Sequence, residues 1–182
     1  MISNRPGAGG LCIAQDAGIE TALIDHQRYP SREAFDQDLA GALDNAHPDL
    51  VVLAGFMRIL TPEFVARFSG RLMNIHPSLL PLYPGLHTHQ RALDNGDSHA
   101  GATVHYVTGE LDGGPPVLQA RVPVNSGDDA NALAARVLAM EHQIYPVAVN
   151  WHLGGRLAWS DGGLLKDGLP MPPSGELWKN AS

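Results

Sequence analysis

A doubly wound α/β fold with a mostly parallel sheet is what this sequence predicts, on three observations. Stretches of helical periodicity alternate with short strand-like runs along the first half of the chain. The run Asp49-Leu50-Val51-Val52-Leu53-Ala54-Gly55 is almost continuously apolar, as a parallel strand covered on both faces requires. Asn74 and His76 stand at what reads as a strand end closed by Pro77, where open α/β sheets place their ligands. At 182 residues the chain makes one domain, 1–182, long enough to bury about 70% of its unfolded surface.

Taken in order, Ile2-Ser3 reads as the tail of a strand, and Gly7, Gly9 and Gly10 form a loop opening onto a short helix over Leu11 to Ala17. That loop has neither a dinucleotide-binding spacing nor a Walker lysine, so a plain connection is expected there. Gly18 ends the helix, Glu20 to Ile24 reads as a strand, and Ser31 is placed to cap a helix with Phe35, Leu39, Ala42 and Leu43 on one face. After the apolar strand, Thr61 caps and Pro62 opens another helix, carrying Phe64, Val65 and Phe68. Leu72 to His76 is the next strand and His89 to Asn95 the next helix. Gly101 to Thr108 and Pro116 to Pro123 read as strands joined by a glycine-rich loop. A long helix from Asp128 carries Leu133, Val137, Met140 and Ile144 and is expected to stop or kink at Pro146. Gly155 to Trp159 reads as a short strand, and the remainder as an irregular tail rich in proline and glycine.

Composition excludes several classes. The net charge of −7, from 19 acidic and 12 basic residues without a basic run, argues against nucleic acid or a membrane surface and for small-molecule ligands. One cysteine, Cys12, allows no internal disulfide and no thiolate cluster, and no apolar run reaches eighteen residues, so a cytoplasmic protein is expected. The oligomeric state is left open.

The chemistry concentrates between Leu72 and His89, which holds one amide and three imidazoles on a backbone stiffened by prolines. Residues two apart on a strand leave the same face, so Asn74 and His76 would point together. An amide can hold a developing oxyanion and an imidazole can move a proton near neutral pH, which suits acyl-type transfer. A polar turn with a solvated histidine is the plainer alternative. Met57, Ile59 and Leu60 beside Arg58 could clamp a flat acidic ligand or simply pack the following helix. Glu110 and Asp112 in the loop 109–115 suit either a ligand-binding segment or a surface hairpin. Glu141, beside the apolar stripe of the long helix, is by default a solvated carboxylate. His76, His87 and His89 with Asp112 could in principle ligate zinc for a hydrolase, although their spacing fits no common zinc pattern.

Asn74-Ile75-His76-Pro77-Ser78-Leu79-Leu80-Pro81, followed by Leu111-Asp112-Gly113-Gly114-Pro115, resembles the folate-dependent formyltransferases. The runs Asp49 to Leu60 and Pro84-Gly85-Leu86-His87-Thr88-His89 resemble the branch that formylates an amine of purine synthesis, and the likeness covers nearly the whole chain. The resemblance implies a Rossmann-like formyltransferase fold and transfer of the formyl group of 10-formyltetrahydrofolate to the amine of glycinamide ribonucleotide, without a metal. Asn74 would hold the oxyanion, His76 would transfer the proton, and Asp112 would position His76 and a relaying water. Arg32, the loop Met57, Arg58, Ile59 and Leu60, Asn74 itself, and the loop Thr108, Gly109, Glu110, Leu111 and Asp112 match folate-contacting positions. Glu141 matches the residue that takes the ribose hydroxyls of the ribonucleotide. His87 and His89 belong to the family pattern without an assigned role. The family opens with a strand and a phosphate-cradling loop, whereas Ile2-Ser3-Asn4-Arg5 resemble the end of its second strand. On that comparison about thirty N-terminal residues and the first strand are missing, which would leave unpaired sheet edges and a core gap. Hydrolysis of formyltetrahydrofolate and an inactive folate-binding remnant are the alternatives that follow.

Overall fold

The computed structural model describes residues 1–160 and 162–179. They fall into two compact units, one of Met1–Pro48 with Ile59–Phe64 and one of Asp49–Arg58 with Val65 onward.

In the first unit, β1 (Ile2–Ser3) pairs in parallel with β2 (Ala22–Leu23), and α1 (Gly9–Asp16) lies between them in sequence. The strand expected over 20–24 is thus reduced to two residues. Gly18, at φ +71, ends α1 in the left-handed conformation that glycine adopts without strain. The helix α2 (Arg32–Ala46) starts where predicted: Ser31 Oγ accepts from the Ala34 amide at 3.2 Å. Phe35 and Leu39 are buried as expected, each contributing about 1.5–3 kcal/mol. Asp36 and Ala40 share that buried face, while Ala42 and Leu43 are only half-buried. The buried Asp36 carboxylate is satisfied by the Thr61 amide at 2.6 Å, and Thr61 Oγ1 accepts from the Phe64 amide at the start of α3 (Pro62–Arg67).

The second unit is built on a five-stranded sheet containing β3 (Val51–Leu53), β4 (Leu72–His76), β5 (His99–Tyr106), β6 (Pro116–Pro123) and β10 (Glu176–Leu177), in the order β10-β6-β5-β4-β3. The α/β class holds, and the sheet is mixed: β3–β4 and β6–β10 are parallel, while β4–β5 and β5–β6 are antiparallel. β3 ends the sheet. Its apolar run is therefore not covered on both faces, and Val52 is 43% exposed, because a terminal strand has a neighbour on one side only. The helix α4 (Thr88–Asp94) follows β4, and α5 (Ala130–Leu153) packs Leu133, Val137, Ile144 and Ala148 onto β5 and β6.

Of the two expectations at Pro146, a stop or a kinked continuation, the stop fails: α5 runs on to Leu153. An interior proline costs about 3 kcal/mol, which burial of Ile144 before it and Ala148 after it offsets. The short strand expected over Gly155 to Trp159 is β7 (Leu157–Ser160), and the tail beyond it, expected to be irregular, instead adds β8 (Gly163–Lys166) and β9 (Leu169–Pro170) in a three-stranded antiparallel sheet, followed by β10. Residues 180–182 of that tail lie outside the described residues. The overlooked signal was Asp167-Gly168, both at positive φ in the turn between β8 and β9. Among the described residues no helix is long and apolar enough to cross a membrane.

Candidate active site

β4 ends in Asn74-Ile75-His76, and the pairing with β5 decides who their neighbours are. Asn74 lies opposite His105 and His76 opposite Thr103. Asp112 enters from the loop between β5 and β6, which makes that segment a hairpin connection and a site loop at once. Its carboxylate is the common point: Oδ2 is 3.4 Å from His76 Nδ1, and Oδ1 is 3.8 Å from His105 Nε2. Oδ2 also accepts from the Gly85 amide at 2.8 Å. Asp112 itself adopts φ +51, and the loop can close only because residue 114 is glycine: a Cβ there would lie 1.8 Å from the Tyr106 carbonyl oxygen.

The His76 side chain is held between two acceptors. Nε2 is 2.9 Å from the Tyr83 carbonyl, and Nδ1 faces Asp112. The residue is only 5% exposed, so both contacts are shielded from solvent. Burial lowers the pKa of His105, although the Tyr106 carbonyl and Asp112 pull the other way, and its neutral ring fits the contacts. Nδ1–H donates to the Tyr106 carbonyl at 2.9 Å, which leaves the Nε2 lone pair to accept from the Asn74 amide at 3.3 Å. One amide hydrogen of Asn74 is thereby fixed and the other is left for a ligand.

Beneath this cluster lies a buried polar network. Thr103 Oγ1 donates to the Ser78 carbonyl at 2.6 Å and accepts from the Leu80 amide and from Gln119 Nε2, both at 3.0 Å. Gln119 Nε2 also reaches the Leu80 carbonyl at 2.8 Å, so β5 and β6 pin the proline-rich segment that follows His76. Sequence reasoning missed His105, Thr103 and Gln119. Polar residues inside the otherwise apolar strands 99–106 and 116–123 were the available signal.

The remaining candidates are placed as follows. Thr108, Gly109, Glu110 and Leu111 precede Asp112 in the same loop, with Leu111 exposed. Met57 is exposed and Arg58 half-buried after β3. Ile59, exposed, and Leu60, half-buried, belong to the first unit, as does Arg32, which sits exposed in the first turn of α2 with Glu33 Oε1 at 3.7 Å. Glu141 is half-buried on α5, and burial raises its pKa. One turn along, the Tyr145 hydroxyl lies 2.8 Å from the Leu53 carbonyl and 2.9 Å from that of Met73, which sets this face of α5 against the last residue of β3 and the first half of β4. His87 is exposed at the start of α4 and His89 half-buried within it. Among the described residues, no group of three or more His, Cys, Asp or Glu side chains is arranged to hold a metal ion.

The formyl transferase family model matches residues 1–149. The phosphoribosylglycinamide formyltransferase of Escherichia coli strain K12 is 52% identical over 175 residues, spanning 96% of this chain and 82% of that protein. The trifunctional purine biosynthetic protein adenosine-3 of Homo sapiens is 41% identical over 165 residues, spanning 91% of this chain and 16% of that protein. The crystallised phosphoribosylglycinamide formyltransferase of Coxiella burnetii superposes with a TM-score of 0.92 at 47% identity, covering 98% of this chain and 84% of that one.

Proposed function

We infer the reaction from a membership the matches make plain: the chain belongs to the formyl transferase family, and it formylates the amine of glycinamide ribonucleotide in purine biosynthesis from a folate donor. The donor we assign is 10-formyltetrahydrofolate, with no metal taking part. The observation that carries the residue-level reading is the convergence of Asn74, His76 and Asp112 at the end of β4. The substrate amine attacks the formyl carbon, and the carbonyl oxygen becomes an oxyanion that the free Asn74 amide hydrogen can hold. His76 gives a proton from Nδ1 as the carbon–nitrogen bond to the folate breaks. Asp112 keeps His76 oriented and takes up the proton lost by the amine, through a water.

The surroundings suit these substrates. Exposed Leu82, Leu86 and Leu111 give an apolar rim on the loops that carry His76 and Asp112, a surface for a flat heterocycle. Met57, Arg58 and the loop 108–112 are assigned to the folate on this basis. Arg32, Ile59 and Leu60 are assigned to it on the family resemblance alone. Glu141, whose two oxygens can accept from two hydroxyls, is assigned to the ribose.

The test is a transfer assay on the 182-residue chain, following loss of the formyl group with and without glycinamide ribonucleotide. Turnover requires the amine if the reading holds; equal turnover with water alone overturns it. Asn74→Ala removes the oxyanion donor and lowers kcat by about 10²–10³.

A further inference from the structure

We propose that Tyr83 is a positioning residue for proton transfer: its backbone carbonyl fixes the His76 ring, and its side chain fixes that carbonyl. The proposal rests on His76 being the proton donor, as assigned above. Tyr83 adopts φ +54, a left-handed conformation that bulky L residues rarely take and that persists only where the surroundings hold it. In this conformation its carbonyl accepts from His76 Nε2 at 2.9 Å.

The hold comes from outside the loop, in two contacts made by the Tyr83 ring. Its hydroxyl donates to Asp97 Oδ2 at 2.6 Å, just beyond α4. The Arg91 guanidinium, on α4, lies 5.1 Å from the ring centroid and also donates to the Pro84 carbonyl at 2.7 Å and the Leu86 carbonyl at 3.4 Å. Without these ties, relief of the backbone strain would turn the carbonyl away from the imidazole. The consequence for the reaction is one of direction. With Nε2 committed to the Tyr83 carbonyl, Nδ1 is the one ring atom left to pass a proton, and it is the atom facing Asp112.

Tyr83→Phe removes the tie to Asp97 and leaves every charged or titratable group facing His76 in place: Asp112 from the loop after β5, His105 from β5 and His89 from α4. The expected result is a kcat lower by about tenfold with KM for both substrates unchanged, since orientation rather than binding is lost. Asp97→Ala does the same, and the double variant is no worse than the worse single one.

The proposal is overturned if Tyr83→Phe leaves kcat unchanged or lowers it only together with a raised KM, or if the two single effects multiply. A direct reading needs no variant: nitrogen-15 resonances of the wild-type His76 ring show Nε2 protonated and hydrogen-bonded, and an unprotonated Nε2 at neutral pH overturns the proposal however the variants fold. His76→Asn, run in parallel, separates the two levels. Wild-type kcat in that variant overturns the donor assignment and this proposal with it. A dead His76→Asn beside an unaffected Tyr83→Phe overturns the Tyr83 assignment alone.

Discussion

Asn74 can hold an oxyanion only if its amide nitrogen, not its oxygen, faces the substrate, and the neighbouring imidazole decides that. A neutral His105, held by the Tyr106 carbonyl, offers Asn74 an acceptor and so fixes which way the amide turns. His105→Leu removes that acceptor, and steady-state kinetics are expected to show kcat down by about tenfold with little change in either KM, a fraction of the loss in Asn74→Ala. Glu141 yields a prediction with the opposite sign for stability. Its folded pKa is raised by burial, so the fold disfavours the ionised carboxylate. Glu141→Gln is therefore expected to unfold at higher denaturant than the parent near neutral pH. The gain should disappear as pH falls below the ordinary glutamate range, where the parent is protonated in both states. The same variant should raise KM for glycinamide ribonucleotide and leave that for the folate unchanged. A lower urea midpoint at pH 7 would show that the charged form is stabilised after all.

At the level of elements, local rules held at the starts of α2 and α3 and were off by two residues at those of α1 and α5, which begin at Gly9 and Ala130 and not at Leu11 and Asp128. Ser31 and Thr61 cap as their side-chain chemistry dictates, because a cap depends on three or four consecutive residues. Pro146 was read as a stop or a kink, and a helix with four side chains sunk against β5 and β6 tolerates one missing donor and continues. The loop between β5 and β6 shows how an element serves the site. Gly114 lets the chain pass against the Tyr106 carbonyl, and that closure delivers Asp112 to His76. Gly114→Ala must move one of them. It is expected to cost about 1–3 kcal/mol in urea unfolding and to lower kcat together with stability, where a surface substitution would change neither.

For the molecule as a whole, the mechanism proposed above draws every proton and charge it needs from the amine, an amide, an imidazole and a carboxylate. Turnover is accordingly expected to survive dialysis against a chelator, and loss of activity restored by a stoichiometric divalent ion would refute the mechanism. The sequence by itself determined the α/β class, the strand Leu72–His76, the capped helices and the Asn74, His76 and Asp112 signature. The first three rest on composition and periodicity, whose physical forces act between near neighbours in the chain, and the signature rests on resemblance to a family pattern that reaches from Asn74 to Asp112. It could not show that His105 lies opposite Asn74, that Thr103 and Gln119 pin the segment after His76, or that the Tyr83 carbonyl meets the His76 ring. Those contacts exist only once strand register, the antiparallel turn of β5 and the left-handed backbone at Tyr83 are set, and a one-residue slip would turn each side chain to the other face. Residue types fixed what chemistry was possible, while register and burial decided which of those side chains meet, because they act between residues far apart in the chain.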